Sequence, residues 1–123
     1  MDTDIAALVT VAKTYFDAAY EMDADKFASV FHPTCSVTRV SDDGAVSVTP
    51  LESWLAAVRK MEAPKKLGLD RHDRILTIDV LRELALLKLE FKIPPRHMTD
   101  MLMCLRVGGT WKIAQKIWTV ETR

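Results

Sequence analysis

Thiols are scarce in this chain: Cys35 and Cys104 are the only cysteines among 123 residues, and they lie too far apart for a Cys-x-x-Cys motif. Two cysteines make a poor disulfide framework for a chain of this size, so both are expected as reduced core residues. Net charge is also missing. Seventeen basic side chains balance 17 acidic ones, which removes the electrostatic basis for a nucleic-acid or anionic-membrane partner. No apolar run is long enough to span a membrane, and "MDTDIAALVTVAK" starts acidic and reaches Lys13 without the pattern of a signal peptide. A soluble, cytoplasmic protein is the expectation. A Gly-rich phosphate loop, a Gly-x-Ser-x-Gly elbow and a basic array interleaved with aromatics are all lacking, so hydride transfer, phosphoryl transfer and nucleic-acid binding have no support. His32, His72 and His97 do not have metal-site spacing, even with Cys35 close to His32, and no metal or cofactor is expected. With no linker, repeat or low-complexity segment, residues 1–123 read as one domain with a single core.

What is present is organised by periodicity. From Ile5, the apolar residues Leu8, Val9, Ala12, Phe16 and Ala19 recur at helical steps, and Asp2 or Thr3 is the candidate cap. "DADKFASVFHP" predicts a second, short helix with Asp23 as N-cap, stopped by Pro33, where His32 is placed to cap the last carbonyls. "CSVTRV" alternates like a strand, and "SDDGAVSV" turns at Asp43-Gly44 into another. "TPLE" gives a third helix a capping box, with Thr49 as N-cap, Pro50 at the first helical position and Glu52 reaching back; Pro64 ends that run. Strands follow: "RHDRILTIDV", "LALLKLEFKI", a break at Pro94-Pro95, then "HMTDMLMCLRV" and "TWKIAQKIWTVE" around Gly108-Gly109. Three helices and a run of mainly antiparallel strands make an α+β domain with the helices on one face of a curved sheet.

The last hairpin can be read in register. A two-residue turn at Gly108-Gly109 pairs Val107 with Thr110, places Leu102 opposite Gln115 and Asp100 opposite Ile117. Alternation then puts Asp100, Leu102, Cys104, Arg106, Trp111, Ile113, Gln115 and Ile117 on one face, and Met101, Met103, Leu105, Lys112, Lys116 and Trp118 on the other.

The segments "YFDAAYEMDADKFASVFHP", "TPLESWLAAV" and "TDMLMCLRVGGTWKIAQKIW" resemble the nuclear-transport-factor-two-like superfamily, in the right order over nearly the whole chain. They are most similar to its lumazine-binding and ketosteroid-isomerase-like branch. The resemblance implies a cone: a strongly curved sheet wraps the first helix and encloses an internal cavity. Relatives of this kind include isomerases, dehydratases, cyclases and modules without chemistry. In such a cone the face with Leu102, Trp111 and Ile113 looks inward, and Asp100 and Gln115 project toward the cavity. The outer apolar face, with Met101, Met103, Leu105 and Trp118, would then be covered in a homodimer.

Each candidate has two readings. Asp100 beside an apolar cavity suits a general base, or a donor when protonated; it suits better a structural fixture that accepts backbone N–H bonds or pairs with Arg39, Arg96 or Lys116. Tyr15, at the edge of the buried helix face, suits a donor to a ligand carbonyl, the work a tyrosine does in related isomerases, or a core-margin phenol. Gln115 is the only carboxamide in a chain without asparagine, and an inward one must find partners. Arg39 suits an anionic ligand group or an exposed rim. Trp54, Trp111 and Phe31 suit a flat ring, pteridine-like by the resemblance, or simple core. Three functions remain open: a binding module for a flat or aromatic metabolite, with Asp100 and Gln115 orienting it; a cofactor-free isomerase, dehydratase or cyclase using Asp100 and Tyr15; or a dimerisation domain without ligand.

Overall fold

The computed structural model describes residues 2–122, and for Asp2 the backbone alone. Helix α1 (Asp2–Glu21) has no glycine or proline and opens the chain. Of its two candidate caps, Thr3 lies inside the first turn, and the Asp2 side chain is outside the described residues. Leu8, Ala12, Tyr15, Phe16 and Ala19 are buried along one face, each large apolar side chain contributing about 1.5–3 kcal/mol. Met22 ends the helix in the left-handed region, φ 47°, where Asp23 N–H donates to the Ala18 carbonyl at 3.0 Å.

Helix α2 (Ala24–Ala28) is capped by Asp23, whose carboxylate accepts from Lys26 N–H at 3.0 Å. It stops short of Pro33, because residues 30–32 instead bond the edge of the last strand: Ile113 N–H donates to Val30 and His32 N–H to Ile113. His32 therefore bonds Thr34 through Nδ1 at 2.7 Å rather than capping helix carbonyls. Strands β1 (Ser36–Val40) and β2 (Val46–Pro50) form the first hairpin. Helix α3 (Leu51–Arg59) follows directly, so Pro50 takes the cap position and no side chain caps the helix. The expected Thr49–Glu52 box does not form because Thr49 is still paired with Val37 in the sheet.

The remaining strands are β3 (Arg74–Leu81), β4 (Leu84–Ile93), β5 (Arg96–Val107) and β6 (Thr110–Thr122). They complete a six-stranded curved sheet that does not close, ordered β2-β1-β6-β5-β4-β3. All pairs are antiparallel except β1 with β6. Thus the architecture is α+β as the patterning predicts, with α1 packed on β3, β4 and β6 inside the curve. Strand β4 shows the logic most simply: Ala85, Leu87, Leu89, Phe91 and Ile93 are buried on the inner face, while the residues between them face out.

One irregularity decides where the polar residues go. Near the Gly108-Gly109 turn the pairing is the predicted one, Val107 with Thr110 and Cys104 with Ile113. Beyond it Met103 pairs with Gln115, leaving Ala114 as an extra residue on β6. A β-bulge of this kind shifts the alternation by one and re-aims every side chain beyond it. Leu102 therefore pairs with Lys116 rather than Gln115, and Asp100 with Trp118 rather than Ile117.

Candidate functional site

Three elements bring Tyr15, Asp100 and Lys116 together beneath the curved sheet. Asp100 keeps the inward side that β5 alternation gives it and is 1% exposed. Tyr15, fully buried on α1, donates its phenolic hydrogen to Asp100 Oδ2. Lys116, turned inward by the bulge and 5% exposed, brings Nζ to 3.5 Å from the same oxygen. Its ammonium end lies over three rings, 4.3 Å from the Trp54 centroid, 5.3 Å from Tyr15 and 5.6 Å from Trp118. Attraction to the electron-rich faces offsets part of the cost of burying the charge.

The surroundings push these groups in known directions. Burial, followed by the neighbouring Asp100 charge, raises the Tyr15 phenol well above its ordinary range, so Tyr15 holds its proton and acts as a donor. Burial lowers the Lys116 ammonium, with Asp100 opposing that shift. The second carboxylate oxygen, Asp100 Oδ1, is buried and has no protein partner, and neither has the indole Nε1–H of Trp118.

These residues form the floor of a pocket of about 200 Å³. Met22, Phe27, Trp54, Phe91, Met98 and Trp118 supply most of its wall, with Arg96 the other charged contributor. Phe27 and Trp54 meet edge to face at 4.8 Å, which fixes the ring that stands over Lys116.

Of the residues singled out from sequence, Tyr15, Asp100 and Trp54 line this pocket. The others do not. Gln115 is exposed on the outer face, where it accepts from Ser36 Oγ at 3.2 Å; the Ala114 bulge moved it there. Leu102 is fully buried core between sheet and helix. Trp111 lies outside the pocket, and its Nε1–H donates to Asp4 Oδ1 at 3.0 Å beside Arg106. Phe31 packs behind Trp54 at 5.5 Å. Arg39 stacks on the Trp118 ring at 4.8 Å and pairs with Asp42 at 3.5 Å, bracing the wall without lining it. Sequence reasoning named Lys116 as one of three possible partners of Asp100, and it is the one that pairs, but placed its side chain on the outer face; Trp118, Met22 and Phe91 it missed as pocket residues. For Lys116 and Trp118 the signal would have been the bulge, which nothing in "KIAQKIW" announces. His97 bonds Glu90 through Nε2 at 3.1 Å and is not part of the pocket wall.

No group of histidine, cysteine and carboxylate side chains among the described residues is arranged to hold a metal. Nor is any described helix long and apolar enough to cross a membrane.

Comparison with known proteins places this geometry in context. A family described as "Putative lumazine-binding" matches residues 3–119. An NTF2-like protein of unknown function from Shewanella baltica OS155 superimposes with TM-score 0.89 at 19% identity, covering 98% of this chain and 96% of that one. A ketosteroid isomerase-like protein from Erwinia carotovora atroseptica SCRI1043 gives 0.75 at 9% identity, covering 100% of both chains. A cystatin-like-fold domain of unknown function from Nostoc punctiforme PCC 73102 gives 0.77 at 14% identity, covering 100% of this chain and 80% of that one. No curated protein matches. At these identities the structural likenesses carry the fold.

Proposed function

The chain belongs to the "Putative lumazine-binding" family of the nuclear-transport-factor-two-like superfamily, and from that footing we propose that its pocket binds a compact, flat ring system through Asp100. The observation that carries this reading is Asp100 Oδ1, a buried acceptor without a partner in a mostly apolar pocket. Leaving such a group unmatched costs about 1–3 kcal/mol, and a ligand N–H or O–H would recover it. Trp118 Nε1–H asks in turn for a ligand acceptor. A donor and an acceptor on the edge of a flat ring are the groups of a cyclic amide, and lumazine, a pteridinedione, carries both. The volume of about 200 Å³ lies below the roughly 300–1,000 Å³ of drug-sized sites, so one or two fused rings is the size class.

Titration with lumazine, read by quenching of Trp54 and Trp118 fluorescence, tests the reading. Saturable binding is expected, weakened about tenfold or more by Asp100→Asn and by Trp118→Phe, which removes only the indole donor. Lumazine that fails to bind, or binds equally well to both variants, overturns it.

A second reading, acid–base chemistry beside a carbonyl, draws on the same unpartnered Oδ1. Tyr15 and Lys116 hold Oδ2, so Oδ1 is the oxygen free to take a proton. Tyr15 has its hydrogen committed to Asp100 and would be a positioning residue here. Deuterium exchange next to the carbonyl of a small cyclic ketone, followed by NMR, is expected to be lost in Asp100→Asn; exchange that persists sinks this reading.

Homodimerisation through the outer sheet face belongs to the proposal as well. Trp118 is not on that face, but Met101, Met103 and Ile117 are, and they are exposed.

A further inference from the structure

A lysine in the middle of an apolar pocket is an expensive feature. Its head group has one ion-pair partner among the described residues, Asp100, at 3.5 Å. That exceeds the 2.7–2.9 Å typical of a tight ammonium–carboxylate hydrogen bond. The rest of its surroundings are the faces of Trp54, Tyr15 and Trp118. Nζ is therefore loosely held, walled by rings and placed on the pocket lining beside an acid.

Building on the ring-binding reading above, we propose that Lys116 is a carbonyl-capturing amine: an aldehyde or ketone on a flat ligand condenses with Nζ to form an iminium ion paired with Asp100. Lysine amines freed from solvation in apolar pockets are suited to this chemistry. The proton balance is closed by the groups present. The ammonium proton passes to the Asp100 carboxylate, leaving a neutral amine whose lone pair attacks the carbonyl carbon. The N–C bond forms, the C=O π bond breaks, and the proton held by Asp100 goes to the carbonyl oxygen, giving a carbinolamine. A nitrogen proton then moves through Asp100 to the hydroxyl, which leaves as water, and the C=N bond forms as a cation. Asp100 is again a carboxylate, now facing the iminium, and Tyr15 donates to it throughout. Overall, one carbonyl compound and one ammonium give one iminium and one water.

The remaining groups near Nζ do not compete. Tyr15 keeps its proton, and at Cys35 burial pushes the thiol up to about 11, so it is no thiolate at neutral pH. Burial also favours the free amine of Lys116 at lower pH than a solvated lysine allows.

The test uses the intact protein, benzaldehyde as probe and cyanoborohydride to trap the adduct, with peptide mass spectrometry to locate the benzyl group. Lys116 is expected to be labelled first, at least about tenfold faster than the surface lysines at neutral pH. Lys116→Met should remove that adduct and leave the slow surface labelling. Benzyl alcohol, which shares the ring and lacks the carbonyl, separates the two claims when its binding is read by tryptophan quenching. If benzyl alcohol binds and Lys116 is labelled no faster than surface lysines, carbonyl capture is wrong while ring binding stands. If neither probe engages the pocket, both fail. Because wild-type labelling is decisive, the test does not depend on the variant folding.

Discussion

Lys116 Nζ and Asp100 Oδ2 lie 3.5 Å apart, and both side chains are withdrawn from water on neighbouring strands. Bringing two charges inside costs several kcal/mol each, and their attraction returns that only while both are present. Removing one partner leaves the other stranded. Lys116→Met and Asp100→Asn are each expected to destabilise the fold by about 3–5 kcal/mol in urea unfolding. The double variant should be clearly more stable than the sum of the two losses implies. Additive losses would show that the pair is not coupled and that the Asp100 carboxylate is held by other means.

The burial of Tyr15 against the Asp100 carboxylate makes stability depend on alkaline pH. Folding raises the Tyr15 pKa, so the native state keeps a proton that the unfolded chain releases near the ordinary value of about 10. The stabilisation is thus complete below about pH 10 and is lost as pH rises from there toward the native value. Lys116 shifts the other way: its lowered pKa makes the native state shed a proton early, so its contribution improves with pH up to about 10.4. Tyr15→Phe is expected to lower stability by about 1–3 kcal/mol near neutral pH and to flatten the decline above pH 10. Phenolate absorbance during a pH titration should show one tyrosine ionising late, and this signal should vanish in Tyr15→Phe. A variant with an unchanged alkaline limb would remove Tyr15 from the account.

On the outer face, pairing lines up Lys88, Met101, Ile117, Thr38 and Val48 across five strands. Ile117 and Val48 are 57% and 61% exposed and Met101 45%, more apolar surface than a monomer of this size gains from displaying. A two-fold partner covering this row is the proposed solution. Sedimentation equilibrium should find a dimer at micromolar concentration, and Met101→Lys or Ile117→Lys should shift it to monomer without loss of folded structure. A wild-type protein that is monomeric throughout that range would rule the interface out.

The fold was legible because most elements obey a single local rule. The helical spacing of Leu8, Ala12, Phe16 and Ala19 and the alternation of Ala85, Leu87, Leu89 and Phe91 each reveal a buried face without knowledge of any partner. That Asp100 shares a face with Leu102 and Cys104 follows from β5 alternation alone, but both faces of β5 are apolar, and it was the resemblance to the cone fold that turned this face inward. Gln115 and Lys116 were not legible in this way. Their sides depend on how β6 registers against β5, and the extra residue at Ala114 is a property of the pair rather than of either strand. Both alternations of "IAQKIW" carry one polar and two apolar side chains, so pattern does not choose between them. Packing does. The bulged register shelters the larger Trp118 ring and leaves Ile117 outside. At α3 the error had a similar origin: Thr49 was claimed by β1 before it could cap a helix.

The bulge itself yields the last prediction. If its role is to shift parity, what counts is that Gln115 faces out and Lys116 in. Deleting Ala114 joins Ile113 directly to Gln115, and unbroken alternation from Ile113 then still places Gln115 outside and Lys116 inside. The deletion removes the irregularity and keeps the faces. It is therefore expected to leave the Tyr15, Asp100 and Lys116 cluster assembled, with one tyrosine still ionising late in the alkaline titration. Gln115→Ala should change stability by no more than about 0.5 kcal/mol, as befits an exposed side chain. By contrast, a deletion variant whose Tyr15 ionises in the ordinary range would show that the bend of the bulge positions Lys116. Parity would then be the lesser part of its work, because a strand straightened at Ala114 would carry Nζ away from the carboxylate even with its side chain on the correct face.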